Sequence, residues 1–509
     1  MRISKVPKIS KILCSIWSLG KRAEGLINIC MKKNIMNKFI HFVNRKRELE
    51  FLENQFGKKS FFAVLYGRRR VGKSEMIKQF FKGKKALYLL ATQEVEKEIV
   101  NSFSMELARH FGDSTLEISP LGSFSQLLEY LGKKQLEGTI VAIDEFPYLV
   151  DANKSVPSIL QKHWDMTLKE NGLSIILCGS SIGAMETEVL GRKSPLYGRR
   201  TGQWKLEPLG FFEFVKFFPK MQFERLVELY SISGGIPLYI LELDANKSAY
   251  ENAVGTIAAR GCMLYAEAEI LLKEELREPK TYFSLMKEIA AGRTTPNELS
   301  TAIGVERTSL VRYLDTLIEL DLVRTICPIN AKERGKITRY ELKDNYFLFW
   351  FNFVYPLRQE LDSFEFGGFK KNFDVKFNPY VGKRFETVCR ELISMKNPIG
   401  NAKIGTWWGA YREDGKRKAM EIDVVGVNEE KKEALFGECK WSQEVDAQEL
   451  LGKLKEKCAK IEWSKGYKCK YALFAKSFRK KDALGVDTVL FEIKDLEKMV
   501  FGTTGAHGA

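Results

Sequence analysis

The residues of this chain with the clearest chemical use are Gly72, Lys73 and Ser74, which end the sequence GRRRVGKS. An apolar run at residues 61–66 leads into Gly67, and a helical pattern follows Ser74. Glycines at this spacing let a loop wrap around phosphate with its backbone N–H groups turned inward, and the helix N-terminus adds partial positive charge. Lys73 would reach the outer phosphates and Ser74 would hold Mg²⁺, so the stretch predicts an ATP site. The predicted nucleotide contacts are Gly67, Arg68, Arg69, Arg70, Val71, Gly72, Lys73 and Ser74.

Two acidic residues follow a second apolar run. Residues 140–143 are all apolar and end at Asp144 and Glu145. A buried parallel strand presents its carboxyl end at the ligand crevice, so Asp144 would hold Mg²⁺ through water and Glu145 would polarise the attacking water. A third apolar run at residues 173–181 carries Ser180, a predicted sensor of the γ-phosphate.

Three arginines outside the loop are further candidates. Arg199 and Arg200 would stabilise the transferring phosphoryl group, in cis or from a neighbouring subunit, or are solvated side chains. Asn44 is a predicted N-cap, and Arg45 after it lies near the adenine or marks a solvated basic helix start.

A second chemical set lies near the C-terminus. Asp423 and Glu438 fall on two successive predicted strands, and period-two alternation places Lys440 on the same face as Glu438. Two carboxylates bind a hard cation, which lowers the pKa of a bound water that Lys440 can orient or deprotonate. Glu386, on a predicted helix at residues 381–395, would complete the metal shell. This set predicts phosphodiester cleavage with Mg²⁺ or Mn²⁺; the alternative is a cross-strand salt bridge in an inactive module.

Composition favours a polyanionic partner. The 509 residues carry a formal net charge of +16, which favours nucleic acid, DNA before RNA and both before a membrane, although a merely basic surface is the alternative. Nine cysteines without a C-x-x-C pair, and four histidines, favour free thiols in a reducing cytoplasm over disulfides or a zinc site. We expect no transmembrane helix, because no stretch approaches 18 apolar residues.

The region between the two sets predicts a winged helix-turn-helix. A capping box at residues 295–298 opens one helix, a tight turn follows, and residues 306–320 form a second helix. Residues 322–326 and 338–342 alternate like a hairpin. This module would contact DNA or serve as a lid or protein-docking unit; its candidate DNA contacts are Arg307, Ser309, Arg312, Lys332, Arg334 and Lys336.

Residues 40–260 resemble the archaeal and bacterial AAA+ ATPases of the STAND-related branch. The matching pieces are FVNRKREL, YGRRRVGKS, VAIDEFPYL, ILCGSS, LYGRR and GGIP. The resemblance implies ATP binding with slow, switch-like hydrolysis and a helical lid. Residues 380–480 resemble the PD-(D/E)XK nuclease superfamily, with Ile422 in place of the proline before Asp423.

The predicted fold class is therefore α/β, with six parts. They are an N-terminal extension (1–36), a P-loop core with a parallel sheet (37–215), a helical lid (216–280), a winged helix-turn-helix (281–345), a buried aromatic helix with a loop-rich linker (346–379), and an α/β restriction-endonuclease-like domain (380–509). We expect an ATPase, homo-oligomeric through its core, that couples nucleotide state to a nuclease-like domain. The alternative is an ATP-switched DNA-binding regulator or scaffold with an inactive domain.

Overall fold

The computed structural model describes residues 42–43, 45–276, 278–331, 337–413, 416–482 and 484–502. The predicted N-terminal extension lies outside this range. So do the predicted cap Asn44 and the hairpin-tip residues Lys332, Arg334 and Lys336.

The N-terminal part is built on a five-stranded parallel sheet of order β2-β3-β4-β1-β5, which confirms the predicted α/β core. Every residue of β1, β3 and β4 is buried, as a strand covered on both faces requires. Edge strand β5 was not predicted, because its sequence GQWK lacks an apolar run. The carboxyl ends of β1, β3 and β4 therefore meet at one edge. The strands are β1 Phe62–Tyr66, β2 Lys85–Leu90, β3 Thr139–Asp144, β4 Ser174–Gly179 and β5 Gly202–Lys205.

Helices cover both faces of this sheet. The helix that starts at Lys73 follows β1, and its apolar face is buried against the sheet. The helices are Lys46–Phe56, Lys73–Phe81, Glu96–Phe111, Thr115–Ile118, Phe124–Gly132, Phe146–Ala152, Val156–His163 and Ile182–Ala184, with wider turns at Trp164–Leu168 and Met185–Leu190.

The middle of the chain is helical and ends in an antiparallel pair, β6 (Val323–Ile326) and β7 (Arg339–Leu342). The predicted capping box is present: the Thr295 hydroxyl accepts from the Glu298 N–H, and the Glu298 carboxylate accepts from the Thr295 N–H. The helices are Phe211–Phe214, Phe223–Ser233, Pro237–Leu241, Ala249–Ala253, Glu267–Glu275 (the acidic helix), Pro279–Ala290, Pro296–Ile303 and Arg307–Glu319, with further turns at Val215–Phe217 and Val254–Ala258.

The aromatic segment (residues 345–354) is buried and helical, as predicted, with Trp350 fully enclosed. The predicted loop-rich linker is wrong, because the long helix (Gly367–Lys396) begins inside it. Phe369, Phe373 and Phe377 recur every fourth residue and form a buried stripe, with the rings of Phe373 and Phe377 stacked at 4.1 Å. Burial of this stripe outweighs the glycines at the helix start. Short helical pieces, Tyr355–Leu357 and Arg358–Asp362, connect the two.

The C-terminal part follows the end of the long helix with a five-stranded mixed sheet of order β14-β12-β10-β9-β8. Neighbours β8, β9 and β10 are antiparallel, whereas β10, β12 and β14 are parallel. The strands are β8 Lys403–Glu413, β9 Lys416–Asn428, β10 Glu433–Lys440, β11 Val445–Asp446, β12 Lys468–Ala475, β13 Phe478–Arg479 and β14 Thr488–Phe491; the helices are Ala447–Ala459 and Ile493–Phe501, with a short turn at Glu462–Ser464.

One hydrophobic cluster extends from Leu209 to Leu496 and joins the middle and C-terminal parts. The connection between β6 and β7 is also bound to the C-terminal sheet. Ile329 donates its N–H to the Thr406 carbonyl at 3.0 Å, and its side chain belongs to the core of that sheet. The described helices include none with the length and apolar character needed to cross a bilayer.

We expect Phe373→Ala to lower the free energy of unfolding by about 3–5 kcal/mol, because it opens a cavity in the stripe that joins the long helix to the aromatic segment. Urea denaturation followed by circular dichroism measures the change. The matched control is Val375→Ala on the exposed side of the same helix, which should change stability by less than about 0.5 kcal/mol. Equal losses in the two variants would contradict this account of the helix.

Candidate nucleotide and carboxylate sites

The phosphate loop (residues 67–74) has the backbone shape that its glycines predict. Gly67 has φ 151° and Gly72 has φ 94°, both in the region that favours glycine. A Cβ on Gly67 would lie 2.4 Å from the Leu206 carbonyl oxygen, so this close approach excludes any side chain. Arg70 also has positive φ, at 67°. The loop therefore depends on glycine at both ends.

Lys73 lies at the centre of this loop. Its Nζ donates to the carbonyl oxygens of Gly67 at 2.8 Å and Arg68 at 3.0 Å, and the side chain is buried. The ammonium thus sits where the loop encloses it, at the N-terminus of its own helix. An anion bound by the loop would meet both charges.

Ser74 and Asp144 lie together, as the sequence predicts for two Mg²⁺ ligands. The Ser74 hydroxyl donates to Asp144 Oδ2 at 2.6 Å, and the Tyr88 hydroxyl donates to the same oxygen. The Glu145 N–H donates to Asp144 Oδ1 at 2.9 Å. Burial acts to raise the pKa of Asp144, but hydrogen bonds, including one from the Cys178 thiol, outweigh it and hold the pKa below its usual value. Asp144 is therefore an ionised, oriented carboxylate, which suits a hard cation.

Glu145 and Ser180 form a second pair beside it. Ser180 donates to Glu145 Oε2 from its hydroxyl at 2.9 Å and from its N–H at 3.1 Å. Glu145 has φ 51°, so its backbone turns sharply at the end of β3. The structure thus brings together the residues predicted to activate water and to sense phosphate.

The Arg68 side chain is buried and paired with an acid from a distant part of the chain. It forms a buried ion pair with Asp344, Nη1 to Oδ2 at 3.0 Å, and its guanidinium lies 5.6 Å from the centre of the Phe347 ring. Asp344 also accepts from the Tyr346 N–H at 2.8 Å and so caps the aromatic segment. Burial raises the pKa of Asp344, and Arg68 opposes this rise. Arg68 therefore joins the phosphate loop to the aromatic segment.

Arg69 and Arg70 face the acidic helix. Arg69 contacts Glu274 at 2.7 Å and Glu275 at 3.5 Å, and Arg70 pairs with the buried Glu267. Arg69 also donates to the Tyr148 hydroxyl at 2.8 Å. The cavity between loop and acidic helix measures about 10 Å³, close to the space of one water. The three arginines predicted as phosphate contacts thus tie the loop to later elements.

Arg45 braces the loop. Its guanidinium is buried and donates to the Val71 carbonyl at 2.8 Å, the Glu207 carbonyl at 2.8 Å and the Glu48 carboxylate at 2.9 Å. The solvated alternative does not hold, because these bonds replace water around the charge.

Arg199 and Arg200 both have partners within this chain. Arg199 Nε donates to the Asp165 carboxylate at 2.8 Å. Arg200 donates to the Leu190 carbonyl at 3.3 Å and lies over the Tyr197 ring. Within one chain these arginines form surface contacts.

The predicted carboxylates Asp423 and Glu438 lie on neighbouring strands of the C-terminal sheet and line the same cavity. The antiparallel register of β9 and β10 ends with Val424 opposite Gly437, so each acid is the next residue beyond that last pair. Asp423 Oδ2 accepts from the Cys439 N–H at 2.9 Å, and Lys440 Nζ donates to Glu438 Oε1 at 3.1 Å. Both acids are less than 9% exposed, at the wall of a cavity of about 610 Å³ (the carboxylate cavity).

The electrostatics of this cavity disfavour a full set of negative charges. Burial raises the pKa of Asp423 to about 7, reinforced by the carboxylates of Glu386 and Glu438. Burial also raises the pKa of Glu386, although Lys383, in contact at 3.1 Å, opposes it. A bound cation would relieve this repulsion.

The predicted third metal ligand, Glu386, does not join the other two. Among the residues that the structure describes, no three His, Cys, Asp or Glu side chains are grouped closely enough to hold a metal ion. Glu386 comes from the long helix and pairs with Lys383, so it contributes charge to the cavity wall rather than a shared ligand shell.

Several cavity residues were missed from the sequence. Lys457 donates to both oxygens of Glu438, at 2.8 and 3.1 Å, and to the Glu421 carbonyl at 3.1 Å. Arg390, on the long helix, donates to the Asp423 carbonyl at 2.8 Å. One signal was available: Lys453, Glu456, Lys457 and Lys460 share a helical face, and all four line the cavity.

Comparison with protein families supports the N-terminal prediction. Residues 42–243 match an ATPase domain found predominantly in Archaea, which confirms the predicted P-loop ATPase domain. Residues 350–451 match archaeal and bacterial proteins of unknown function, and this range includes Asp423, Glu438 and Lys440.

Individual proteins extend the likeness to most of the chain. An uncharacterized protein of Methanocaldococcus jannaschii is 32% identical over 463 residues, 89% of this chain and 99% of its own length. An uncharacterized ATP-binding protein of that organism is 55% identical over 47 residues, 9% of this chain and 80% of its own. The Walker-type ATPase of Pyrococcus abyssi aligns at TM-score 0.45 and 19% identity, over 61% of this chain and 96% of its own. The Aeropyrum pernix ORC2 protein aligns at TM-score 0.42 and 13% identity, over 67% and 97%. At these scores neither structural likeness bears on the function of this chain.

We expect Lys73→Ala to abolish ATP binding, because it removes the ammonium that the phosphate loop encloses. Titration of a fluorescent ATP analogue measures the affinity. Lys78→Ala, which removes an exposed lysine of the same helix paired with Glu75, is the control and should bind normally. Unchanged affinity in Lys73→Ala would contradict the phosphate assignment.

We expect Asp344→Ala to lower the free energy of unfolding by about 3–5 kcal/mol, because it leaves Arg68 buried without its counter-charge. The control is Asp374→Ala, which breaks an exposed pair with Lys370 and should change stability by less than about 1 kcal/mol. Urea denaturation compares the two variants. A loss in Asp344→Ala no larger than in the control would show that this ion pair does not join the two parts.

Proposed function

This chain, with its archaeal ATPase domain, belongs to the same family as the Methanocaldococcus jannaschii protein, and we propose that it couples ATP binding and hydrolysis to a metal-dependent, nuclease-like site acting on nucleic acid. ATP and Mg²⁺ bind at the phosphate loop, with Ser74 and Asp144 toward the metal. Glu145 orients the attacking water, and Ser180 holds Glu145 in position.

The observation that supports the coupling is that the long helix contacts both the helical middle part and the carboxylate cavity. Glu391 on this helix accepts from the N–H groups of Phe211 at 3.0 Å and Phe212 at 3.2 Å, at the start of the helical middle part. One residue earlier, Arg390 contacts the Asp423 backbone, and Glu386 lines the carboxylate cavity. A shift of the middle part on nucleotide binding would therefore move residues of the cavity wall.

The arginines of the phosphate loop supply a means for nucleotide to cause that shift. Arg69 and Arg70 pair with three glutamates of the acidic helix, and Arg68 pairs with Asp344 at the start of the aromatic segment. Phosphate bound at the loop competes with carboxylates for the same guanidinium groups. Exchange of partners would release the acidic helix, which is a bistable element of the kind that switching requires.

The nuclease-like assignment is supported by the donor set of the carboxylate cavity. Mg²⁺ commonly uses one or two protein carboxylates and completes its shell with water and substrate phosphate. Asp423 and Glu438 supply two carboxylates to one cavity. Mn²⁺ accepts the same ligands. The metal would lower the pKa of its water, and Lys440 would orient that water toward a phosphodiester.

Nucleic acid is the proposed partner, with DNA preferred. Beyond the net charge of +16, Arg307, Thr308, Val311 and Arg312 are exposed on one face of the helix Arg307–Glu319. Arginines on such a face contact phosphate. Homo-oligomerisation through the ATPase core would allow Arg199 or Arg200 to act on the nucleotide of a neighbour.

The alternative is an ATP-switched DNA-binding regulator with an inactive nuclease-like domain. The observation that favours it is the pair of lysines on Glu438, which neutralise that acid without a metal. Under this alternative the chain binds DNA in a salt-dependent way but cleaves none.

The test is a cleavage assay of the full chain on plasmid, linear, single-stranded and RNA substrates with Mg²⁺ or Mn²⁺, with and without ATP. We expect metal-dependent cleavage that responds to ATP. Asp423→Asn should abolish cleavage and retain ATPase activity. Lys73→Ala should retain the cleavage seen without ATP, but adding ATP should no longer change its cleavage rate. Absence of cleavage by the wild type with either metal would contradict the nuclease assignment and favour the ATP-switched DNA-binding regulator.

We also expect Glu391→Gln to weaken the response of cleavage to ATP. The change removes the negative charge with which the long helix accepts hydrogen bonds from the Phe211 and Phe212 N–H groups of the middle part. In this variant, the steady-state ATPase rate measured without nucleic acid and the cleavage rate measured without ATP should both be retained. Glu360→Gln, a change on the neighbouring short helix, is the control. An unaltered ATP response in Glu391→Gln would show that coupling does not pass through this contact.

A further inference from the structure

The carboxylate cavity contains a lysine whose position no motif explains. Lys457, on the helix Ala447–Ala459, reaches across to β10 and donates to Glu438 Oε2 at 2.8 Å and Oε1 at 3.1 Å. It also donates to the Glu421 carbonyl of β9 at 3.1 Å. Its ammonium therefore bridges β9 and β10, the two strands that carry Asp423 and Glu438.

The Lys457 ammonium neutralises the Glu438 carboxylate, and a metal ion bound to that carboxylate would do the same. A divalent cation bound by Glu438 would occupy the region in front of its two oxygens, and Lys457 donates to both of them. Two cations a few ångströms apart repel strongly where water is partly excluded, and Glu438 is only 7% exposed. Metal binding and the Lys457 contact should therefore exclude each other.

Lys457 differs from Lys440 in this respect. Lys440 lies on β10 itself and contacts one oxygen of Glu438, with nearly half of its side chain exposed. Lys457 is anchored on a separate helix, has a long flexible side chain and is about one-third exposed. It can leave the carboxylate without disturbing the sheet and reach toward the cavity space.

We propose that Lys457 exchanges between two partners: it neutralises Glu438 before metal binds, and it binds a non-bridging oxygen of the scissile phosphate after metal displaces it. The inference rests on the proposed nuclease-like function and adds a phosphate-positioning residue to it. Displacement moves positive charge from the carboxylate to the place where the substrate brings negative charge, and an ammonium is a compact, mobile donor suited to this. Only hydrogen bonds of Lys457 change in this exchange, and no covalent bond to Lys457 forms or breaks.

The exchange predicts that one variant binds metal more tightly and cleaves DNA more slowly. In the full chain without nucleotide, we expect Lys457→Gln to bind Mn²⁺ about tenfold more tightly by calorimetry, because a competing charge is gone. The same variant should cleave DNA about 100-fold more slowly, because a phosphate donor is gone. Subtracting the titration of Asp423→Asn isolates the carboxylate cavity from other sites.

Two further variants make the result specific. Lys455→Gln removes a lysine on another side of the same helix, near the Tyr471 ring, and should leave Mn²⁺ affinity and cleavage unchanged. Lys457→Arg keeps the charge and should retain the weak Mn²⁺ affinity of the wild type. This separates the exchange from a loss of folding.

The outcomes distinguish failure of the Lys457 exchange from failure of the proposed nuclease-like function. If the wild type binds Mn²⁺ and cleaves DNA but Lys457→Gln changes neither, the exchange is overturned and the nuclease-like function stands. Weaker Mn²⁺ binding in Lys457→Gln also overturns it, since the lysine would then support the metal. If the wild type shows no Mn²⁺ binding that Asp423→Asn removes, the proposed function fails and the inference fails with it.

Discussion

The buried ion pair between Arg68 and Asp344 is the contact on which the arrangement of this protein depends. It joins the phosphate loop, at residue 68, to the start of the aromatic segment, 276 residues later in the chain. Two Arg68 nitrogens, Nε and Nη2, are buried without a hydrogen-bond partner, so the pair is largely desolvated. A pair of this kind adds little net stability compared with apolar packing, but losing one partner is costly. It therefore specifies which elements meet.

From Asp344 the connection continues through close packing. The Tyr380 hydroxyl, on the long helix, donates to the Ser231 carbonyl at 2.7 Å and to the Asn345 carbonyl at 3.1 Å. Lys476, at the end of β12, pairs with Glu224 at 3.0 Å. The middle and C-terminal parts thus behave as one packed body with a shared core. Under the proposed coupling, a change at the phosphate loop would reach the carboxylate cavity through packed elements rather than through a flexible linker.

Both candidate sites contain side chains of opposite charge that form ion pairs with one another. At the phosphate loop, arginines are paired with glutamates of the acidic helix, and at the carboxylate cavity, lysines are paired with Glu438. Such pairs lower the cost of burying charge in the folded chain. Under the proposed function each ligand is a competitor, because phosphate would replace carboxylate at one site and metal would replace ammonium at the other.

Local sequence was enough to predict most elements and the two chemical sets. Spacing alone determined the phosphate loop, because glycine conformations and a helix start are local properties. The end of an apolar run placed Asp144 at the end of β3, and Asp423 lies on a strand, as predicted. Period-two alternation likewise anticipated Glu438 and Lys440 on one face. Local pattern failed at residues 367–378, where two glycines suggested a loop and a buried phenylalanine stripe made a helix.

Only the tertiary structure decided how the charged side chains are paired. The sequence RRR suggested phosphate contacts, but the partners of these arginines are acids about 200 to 280 residues further along, brought near by packing of the middle part. Lys457 and Glu438 are only 19 residues apart, but they lie on different elements, and the packing of the helix Ala447–Ala459 against β10 brings them together. Backbone conformation follows from neighbouring residues, whereas the partner of a long charged side chain depends on which distant surface the core brings within its reach.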